Sequence, residues 1–368
     1  MEQNIITGFN SHRQIKSVLH ACGSKMPMLV CDSSFKFLNL NSYFEKSDFP
    51  YIRFDRFTSN PLYEDVCSGV DLFRREGCDS IIAVGGGSAI DVAKCIKLFS
   101  GMDPTVNYLE QEKKSMDVSL IAIPTTAGTG SESTRFAVIY YGGKKQSIAH
   151  ESIIPNYAIL DWSVLSTLPV YQKKCTMLDA LCQGIESWWS VNSTVESKGY
   201  AKCAVELILN NYQAYIFDGS EAAAENIMLA ANFSGRAINI SQTTAPHAMS
   251  YKLTSLYGIP HGHAVAICLP KVWEFMLNHT SQCIDRRGAE YVLGIFNDIS
   301  QVFGELYIQS AIDRFESILA ELEMPVPAGK EGDLDILAAS VNPVRLVNNP
   351  IKLNESDLSE LYKQILNL

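Results

Sequence analysis

Three of the seven histidines fall within a span of seventeen residues, at His247, His261 and His263. Neutral imidazoles are common ligands of borderline divalent metals, and two of them from adjacent segments can converge while leaving a coordination position open. Asp179 is a charged residue within an apolar helical pattern, and buried charges are usually paired or bound to a metal. Gln183 lies four residues further on, on the same helix face, where it can lend an amide oxygen or orient a water. These residue types predict a divalent-metal site, and packed or capping histidines are the structural alternative.

Three consecutive glycines, residues 85–87, follow the apolar run 81–84 and precede a helical pattern. Glycines let backbone N–H groups approach an anion closely, and a helix N-terminus favours phosphate. The segment therefore predicts a pyrophosphate cradle, while a tight strand-to-helix connection is the alternative because the spacing is not GxGxxG. Asp91 has two interpretations in the same way, as a ligand contact or as a first-turn helix acid.

A second polar loop, residues 124–132, follows the apolar run 120–123 and is rich in threonine, serine and glycine. Such side chains can hydrogen-bond ribose, phosphate or carboxamide groups at the carboxyl edge of an open α/β sheet, or cap the next element as a turn. Asp32 follows the first apolar run. A carboxylate there accepts a hydrogen bond from a ribose 2′-hydroxyl and repels a 2′-phosphate, so Asp32 favours NAD(H) over NADP(H).

The elements that carry these loops alternate between strand and helix patterns. Short apolar runs separated by helix-length segments predict a mostly parallel sheet in the first half, with strands at residues 28–31, 81–84, 120–123, 136–140 and 158–160. Long apolar-periodic segments predict helices in the second half, at residues 176–189, 196–214, 221–239, 300–323 and 355–366. We therefore expect an α/β N-terminal Rossmann-like domain over residues 1–165 and an all-α C-terminal domain over residues 166–368.

Composition narrows the class of protein. The 368 residues include 30 Lys+Arg and 40 Asp+Glu, for a net charge of -10, and 47% of them are hydrophobic. These values are typical of a globular protein, and the scattered cations form no basic stripe for nucleic acid. The ten cysteines are dispersed without a CxxC pair, so we expect reduced thiols. Because no run approaches the roughly 18 apolar residues of a membrane span, and the N-terminus lacks a signal peptide's apolar core, we expect a cytoplasmic protein without membrane or nucleic-acid partners.

Four segments, in this order, resemble the iron-containing (group III) alcohol dehydrogenase family, which belongs to the wider dehydroquinate synthase-like fold. They are GGGSAID at 85–91, IPTTAGTGSE at 123–132, LDALCQGIES at 178–187 and GIPHGHAVA at 258–266. The resemblance extends over most of the chain, from near Leu29 to near Pro270. It implies a dinucleotide-binding domain, a helical domain, a metal at the cleft and a homodimer or higher homo-oligomer.

The resemblance also implies roles for individual residues. It implies metal ligands at Asp179, His247 and His261. It implies cofactor contacts at Asp32, Asn60, Gly86, Gly87, Ser88, Asp91, Thr125, Thr126, Thr129 and Lys145.

Two departures from the family pattern concern the metal. The iron enzymes have a ligand histidine where this chain has Gln183, and usually a further histidine where it has Tyr251. Zinc-dependent glycerol dehydrogenases also lack the first of these histidines and keep a three-ligand Asp/His/His site. The implied ion is therefore Fe²⁺ or Zn²⁺, with Gln183 as a candidate ligand.

The implied mechanism combines the ion with a nicotinamide cofactor. The divalent ion acts as a Lewis acid on a carbonyl or alkoxide oxygen, while NAD(P)H exchanges hydride with the adjacent carbon. His263 and Tyr251 are the candidates for a catalytic proton relay. For His263 the alternatives are a hydrogen-bond partner of the ligand set or a polar residue at a helix start.

The stretch 234–247, with residues 251–255, is most similar to the phosphonoacetaldehyde reductase branch of the family, whose members reduce phosphonoacetaldehyde to 2-hydroxyethylphosphonate. Arg236 and Lys252 are cations beside the metal-ligand segments and can bind a phosphonate dianion, or else pair with acids on solvated helix faces. The alternative substrates are a polyol of the glycerol type or a general alcohol. Two other classes are a lyase of the dehydroquinate synthase type, which would need a lysine- and arginine-rich pocket that is not evident, and a non-catalytic nucleotide-binding relative.

Overall fold

The computed structural model describes residues 3–368, which divide into two compact units. The first unit comprises the residues up to Leu168 together with 219–228. The second comprises Pro169–Asp218 and Leu229–Leu368. The domain boundary expected between residues 165 and 166 falls within the short 3-10 helix Trp162–Thr167, which ends just before Pro169.

Among the described residues, the first unit is built on eight strands and four complete α-helices. The strands are β1 Asn4–Thr7, β2 Pro27–Cys31, β3 Ile52–Phe54, β4 Ser80–Gly85, β5 Ser119–Pro124, β6 Phe136–Tyr141, β7 Lys144–Ala149 and β8 Tyr157–Leu160. The helices are α1 Ile15–Ala21, α2 Asn39–Glu45, α3 Tyr63–Arg75 and α4 Gly87–Phe99. Six strands form one parallel sheet in the order β1-β8-β5-β4-β2-β3. Strands β2 and β4 are buried along their whole length, as parallel strands covered on both faces are.

The predicted strand at residues 136–140 lies outside this sheet. It is β6, which pairs with β7 in antiparallel register. Gly142 and Gly143 connect the two strands with φ angles of 56° and 73°. Positive φ at both central residues is the requirement of the tight hairpin turn that matches strand twist, and glycine meets it without steric cost.

The second unit is helical. Its helices are α5 Val170–Trp189, α6 Val195–Ile216, α7 Glu221–Ser241 (whose first residues group with the first unit), α8 Ala245–Tyr257, α9 His261–Asn278, α10 Ala289–Val302, α11 Ile308–Glu321, α12 Asp333–Ser340, α13 Pro343–Leu346 and α14 Glu355–Ile365. Helix α5 packs against α6 and α9, and α9 packs against α8. The single helix predicted over residues 300–323 is wrong, because α10 ends before Gly304, whose φ of 78° terminates the helix and separates it from α11.

An aromatic core stabilises the helical unit. The Trp189 and Trp273 rings lie 5.6 Å apart, and Phe296 lies 5.8 Å from Trp189. The indole N–H of Trp189 donates to the hydroxyl of Thr244, 2.8 Å away. This bond ties the end of α5 to the start of α8, the two helices that carry Asp179 and His247. Across the described residues, no helix is long and apolar enough to cross a membrane.

Candidate metal centre and nucleotide-binding loops

Three helices bring the predicted metal ligands together. Asp179 lies in the middle of α5, His247 in the first turn of α8 and His261 at the first position of α9. One ligand atom from each side chain lies within 4.8 Å of the other two. The Nε2 atoms of His247 and His261 are 3.3 Å and 4.0 Å from Oδ1 of Asp179. The structure therefore gathers an oxygen and two imidazole nitrogens at one point.

Two of these atoms are buried and have no hydrogen-bond partner. Within residues 3–368, Oδ1 of Asp179 and Nε2 of His247 are among the few buried side-chain atoms that make no hydrogen bond of good geometry, and they face each other at an ion-pair distance of 3.3 Å. Each residue is only 4% exposed, and an unpaired buried polar atom costs about 1–3 kcal/mol. A divalent ion bound to both atoms would remove that cost. The donor set of one carboxylate and two imidazoles fits Zn²⁺ or Fe²⁺.

Glu186 fixes the orientation of His247. Its Oε1 makes a short hydrogen bond with Nδ1 of His247, and its Oε2 accepts from the backbone N–H and the hydroxyl of Thr244, at 2.7 and 2.9 Å. The His247 Nε2 atom consequently faces Asp179. A carboxylate behind a ligand imidazole is the usual way in which proteins orient a metal-binding histidine.

Glu186 was not among the predicted site residues, although its position in the sequence carries a signal. The residue lies seven positions after Asp179, which is two helical turns, and therefore on the same face of α5. It is a fully buried acid in a largely apolar helix. The same reasoning that singled out Asp179 applies to it.

The two carboxylates set the charge of the site. Burial disfavours a charged imidazole, but Glu186 and Asp179 outweigh it and raise the pKa of His247 to about 10. Burial also opposes charge on Asp179, yet contacts with His247, His261 and Gln183 lower the pKa of its carboxyl. Two buried negative charges require a compensating positive charge, which a proton on His247 or a metal ion can supply.

Gln183 lies beside Asp179. It contacts the Asp179 carboxyl, and its amide oxygen accepts a hydrogen bond from Ser234 Oγ at 3.1 Å. Like Asp179 and His247 it is buried, with 4% exposure. These contacts hold the Asp179 carboxylate in place, while metal ligation by Gln183 itself stays a prediction.

Tyr251 and His263, the two candidates for proton transfer, lie in different surroundings. The Tyr251 ring stacks on the His261 ring, with centres 5.3 Å apart and 3° between the planes, and its hydroxyl accepts from Arg345 at 3.3 Å. His263 has protein partners at both ring nitrogens: the Tyr171 hydroxyl at 2.8 Å from Nδ1 and the Pro325 carbonyl at 2.9 Å from Nε2. Burial lowers the pKa of His263. These contacts favour packing over proton transfer for His263.

The two predicted substrate cations lie on separate helices. The guanidinium of Arg236, on α7, lies 5.6 Å from the centre of the Tyr200 ring on α6. Lys252 is half-buried on α8, next to Tyr251. Sequence reasoning missed Arg345, which contacts Tyr251 from α13, because the residue lies 94 positions further along the chain.

The two predicted nucleotide loops meet at the ends of β4 and β5, whose last residues Gly85 and Pro124 are paired in register. Gly85 has a φ of 156°, and a Cβ atom there would lie 2.6 Å from Cβ of Ala89, so a larger residue would clash. A Cβ atom at Gly87 would lie 3.0 Å from the Thr129 side chain. The absence of side chains therefore brings the first turn of α4 close to the threonine loop.

The other predicted cofactor residues surround this junction or lie on the hairpin. A Cβ at Gly86 would lie 3.5 Å from the Thr126 hydroxyl, and one at Gly85 would lie 3.3 Å from the Asp32 carboxylate. The Thr125 N–H donates to the Gly85 carbonyl at 3.0 Å. The Ser88 hydroxyl donates to the carbonyl of Ser59, which precedes the exposed Asn60. Lys145, half-buried on β7, pairs with Tyr140 on β6.

Asp91 is held by the protein itself. Its two oxygens accept from Ser131 Oγ at 2.7 Å and from the Val138 N–H at 2.9 Å. Lys94, fully buried one turn later, donates to Ser131 Oγ and to the Phe136 carbonyl. Burial raises the pKa of Asp91 and lowers the pKa of Lys94 to about 8. This closed network favours a structural role for Asp91 over cofactor contact.

Comparison with known proteins identifies the family. The family model of the iron-containing alcohol dehydrogenases matches residues 2–162. The model of the C-terminal region of the Fe-containing alcohol dehydrogenase family matches residues 174–366. The chain is 38% identical over 221 residues to the probable alcohol dehydrogenase EutG of Escherichia coli, with 58% of this chain aligned. That match spans only 56% of the relative's length.

Two further proteins are similar over a larger part of their length. The phosphonoacetaldehyde reductase of Streptomyces viridochromogenes is 32% identical over 298 residues, covering 77% of this chain and 75% of that protein. The crystal structure of a sulfoacetaldehyde reductase from Bifidobacterium kashiwanohense in complex with NAD⁺ is 25% identical, with a TM-score of 0.88 over 99% of this chain and 97% of that one.

The comparisons bear on the sequence predictions. The expected fold class, an α/β unit with a parallel sheet followed by a helical unit of the dehydroquinate synthase-like type, is confirmed. The family models together match most of the chain, in the order of the four recognised segments. The chain therefore belongs to the iron-containing alcohol dehydrogenase family.

Proposed function

We propose that this chain is a metal-dependent oxidoreductase that transfers hydride between NAD(H) and a small aldehyde or primary alcohol. The reaction we favour is reduction of phosphonoacetaldehyde to 2-hydroxyethylphosphonate. The observation that carries the proposal is the convergence of Asp179, His247 and His261, with two buried ligand atoms unpaired. The similarity to a phosphonoacetaldehyde reductase and to a sulfoacetaldehyde reductase supports an aldehyde with an anionic group.

The residues of the helical unit have separate roles in this proposal. Bound Fe²⁺ or Zn²⁺ would polarise the carbonyl oxygen, and the nicotinamide would supply the hydride. Glu186 holds His247 in the orientation that directs Nε2 to the site. Tyr251, stacked on His261, carries a hydroxyl beside the ligand set, and we assign to it the proton that the product alcohol requires.

The loops of the α/β unit would bind the dinucleotide. The backbone N–H groups at Gly86 and Gly87, at the start of α4, would bind the pyrophosphate. Asp32, beside Gly85, would accept from the ribose 2′-hydroxyl and so favour NAD(H). The family resemblance further supports a cytoplasmic homodimer or higher homo-oligomer.

The test combines metal analysis with NADH oxidation over an aldehyde panel. We expect purified protein to contain a divalent ion and to oxidise NADH with phosphonoacetaldehyde. Asp179→Asn should lose both properties, whereas Asp298→Asn, at an exposed position of α10, should keep both. A metal-free wild type with no turnover on any aldehyde would indicate a nucleotide-binding relative. Turnover of glycerol or simple alcohols without phosphonoacetaldehyde would indicate a polyol or general alcohol dehydrogenase.

A further inference from the structure

Arg345 contacts Tyr251, the aromatic neighbour of His261, from a separate element. It is half-buried on α13, and its guanidinium lies 5.3 Å from the centre of the Tyr251 ring and donates to the Tyr251 hydroxyl. The same ring stacks on His261 with 3° between the planes. One aromatic side chain therefore contacts both the cation and a metal-ligand imidazole.

The segment that carries Arg345 is anchored to the same part of the helical unit. Helix α13 packs against α8, which carries Tyr251. Asn348, 8% exposed, donates to the Thr243 carbonyl at 3.3 Å and to Oε1 of Gln242 at 3.2 Å, in the segment just before α8. These hydrogen bonds hold the segment that follows Arg345 against the segment that precedes α8.

Arg314 on α11 offers a matched case with a different outcome. Its guanidinium also donates to a tyrosine hydroxyl, that of Tyr212, at 3.1 Å. The Tyr212 hydroxyl in turn donates to the Glu321 carboxylate at 2.7 Å, so the chain supplies the anion next to Arg314. Among residues 3–368, Arg345 forms no ion pair with an acid. A guanidinium has five N–H donors in a fork that matches tetrahedral oxyanions, so Arg345 retains donors for an external anion.

We propose that Arg345 binds the anionic group of the substrate and makes the enzyme selective for aldehydes that carry a phosphonate or a sulfonate. In a two-carbon aldehyde of this class, one methylene separates the carbonyl carbon from the oxyanion. The site for the oxyanion must therefore lie near the site for the carbonyl, and Arg345 and His261 both contact the ring of Tyr251. The inference rests on the proposed reductase function and adds a specificity-determining residue to it.

The test measures steady-state kinetics of metal-loaded enzyme with three aldehydes: phosphonoacetaldehyde, sulfoacetaldehyde and 3,3-dimethylbutanal, a neutral aldehyde of similar shape. Arg345→Gln should raise KM for phosphonoacetaldehyde about 10- to 100-fold, because it removes charge-assisted hydrogen bonds. The kcat/KM for 3,3-dimethylbutanal should fall far less, because the neutral aldehyde loses only the effect of the missing hydrogen bond to Tyr251. Arg345→Lys keeps the charge without the fork and should lose less. Arg314→Gln, the matched control, should leave all three substrates unaffected.

Several results would overturn the assignment. Equal losses on charged and neutral aldehydes, or no loss on either, would contradict it. A selective loss in Arg236→Gln without one in Arg345→Gln would transfer the role to Arg236. If Arg345→Gln has a melting temperature different from that of the wild type, the comparison of charged with neutral aldehydes is made with Arg345→Lys instead. A larger effect on phosphonate than on sulfonate would identify the dianion as the preferred group, and equal effects would support the shared class.

The proposed function fails separately. If the wild type oxidises NADH with none of the aldehydes, the proposed reductase function itself is contradicted. Wild-type turnover of the charged aldehydes that Arg345→Gln does not weaken more than turnover of the neutral one contradicts only the role of Arg345.

Discussion

Asp91 and Asp179 are both helix-borne aspartates in apolar sequence patterns, yet their carboxylates have opposite surroundings. Both oxygens of Asp91 accept hydrogen bonds from Ser131 and Val138. Asp179 keeps Oδ1 buried and without a hydrogen-bond partner within the described chain, and it shares this property with Nε2 of His247. A closed network is complete without a ligand, whereas convergent unpaired atoms are not.

The difference between the two carboxylates distinguishes a residue that stabilises the fold from a residue that we propose binds a metal ion. Burial raises the pKa of Asp91, while contacts in the ligand cluster lower that of Asp179 despite burial. The α/β unit supplies the hydrogen-bond partners of Asp91 from its own backbone and side chains. In the helical unit, the corresponding place beside Asp179 is where we propose that an ion binds.

The largest effect is expected from Asp179→Asn. The amide keeps the shape of the side chain but removes the charged ligand, so metal should be lost and kcat/KM should fall by about a thousandfold. Elemental analysis and NADH oxidation measure the two effects. If the variant retains both metal and activity, Asp179 is not a metal ligand and does not differ in role from Asp91.

Glu186→Gln should have the next largest effect. The substitution removes the negative charge behind His247 but leaves an amide of the same size. Loss of such a partner typically weakens metal affinity by 10- to 100-fold. Competition with a chromophoric chelator measures the affinity, with Asp298→Asn as the exposed control. Unchanged affinity would mean that Glu186 serves packing alone.

Asp91→Asn should act on stability. The amide still fits between Ser131 and Val138, but it removes the negative charge next to Lys94 and cannot accept from both neighbours equally. We expect the free energy of unfolding to fall by about 1–3 kcal/mol, with metal content unchanged. Urea denaturation measures the loss. A rise in KM for NADH without loss of stability would restore Asp91 as a cofactor contact.

The smallest effect is expected from Tyr171→Phe. This change removes the hydroxyl that bonds Nδ1 of His263 and should cost about 1 kcal/mol of stability. If His263 only packs, the pH profile of kcat in Tyr171→Phe is the same as in the wild type. A shifted profile would show that His263 takes part in proton transfer after all.

Much of the secondary structure could be predicted from local hydrophobic patterns in the sequence. The predicted strands at 28–31 and 81–84 match β2 and β4, because buried parallel strands read as continuous apolar runs. The three proposed metal ligands could be singled out because each residue type is unusual in its local context, and the structure brings them together. The short strands β1 and β3 were missed, since they contain few apolar residues and depend on pairing with distant strands.

Residues that act through distant contacts were not accessible in the same way. Arg345 contacts Tyr251 across 94 positions, and no local spacing links them. The contacts of Asp91 with the N–H of Val138 likewise depend on where the β6 hairpin packs. The break between α10 and α11 depends on one glycine whose positive φ the apolar periodicity did not reveal.

The most direct measurement of the proposed Asp179/His247/His261 metal site is calorimetric titration of metal-free protein with Zn²⁺ and, in the absence of oxygen, with Fe²⁺. The account predicts one ion bound per chain, with binding lost in Asp179→Asn and retained in Asp91→Asn. Absence of Zn²⁺ and Fe²⁺ binding by the wild type, or equal affinity in the wild type and Asp179→Asn, would contradict it.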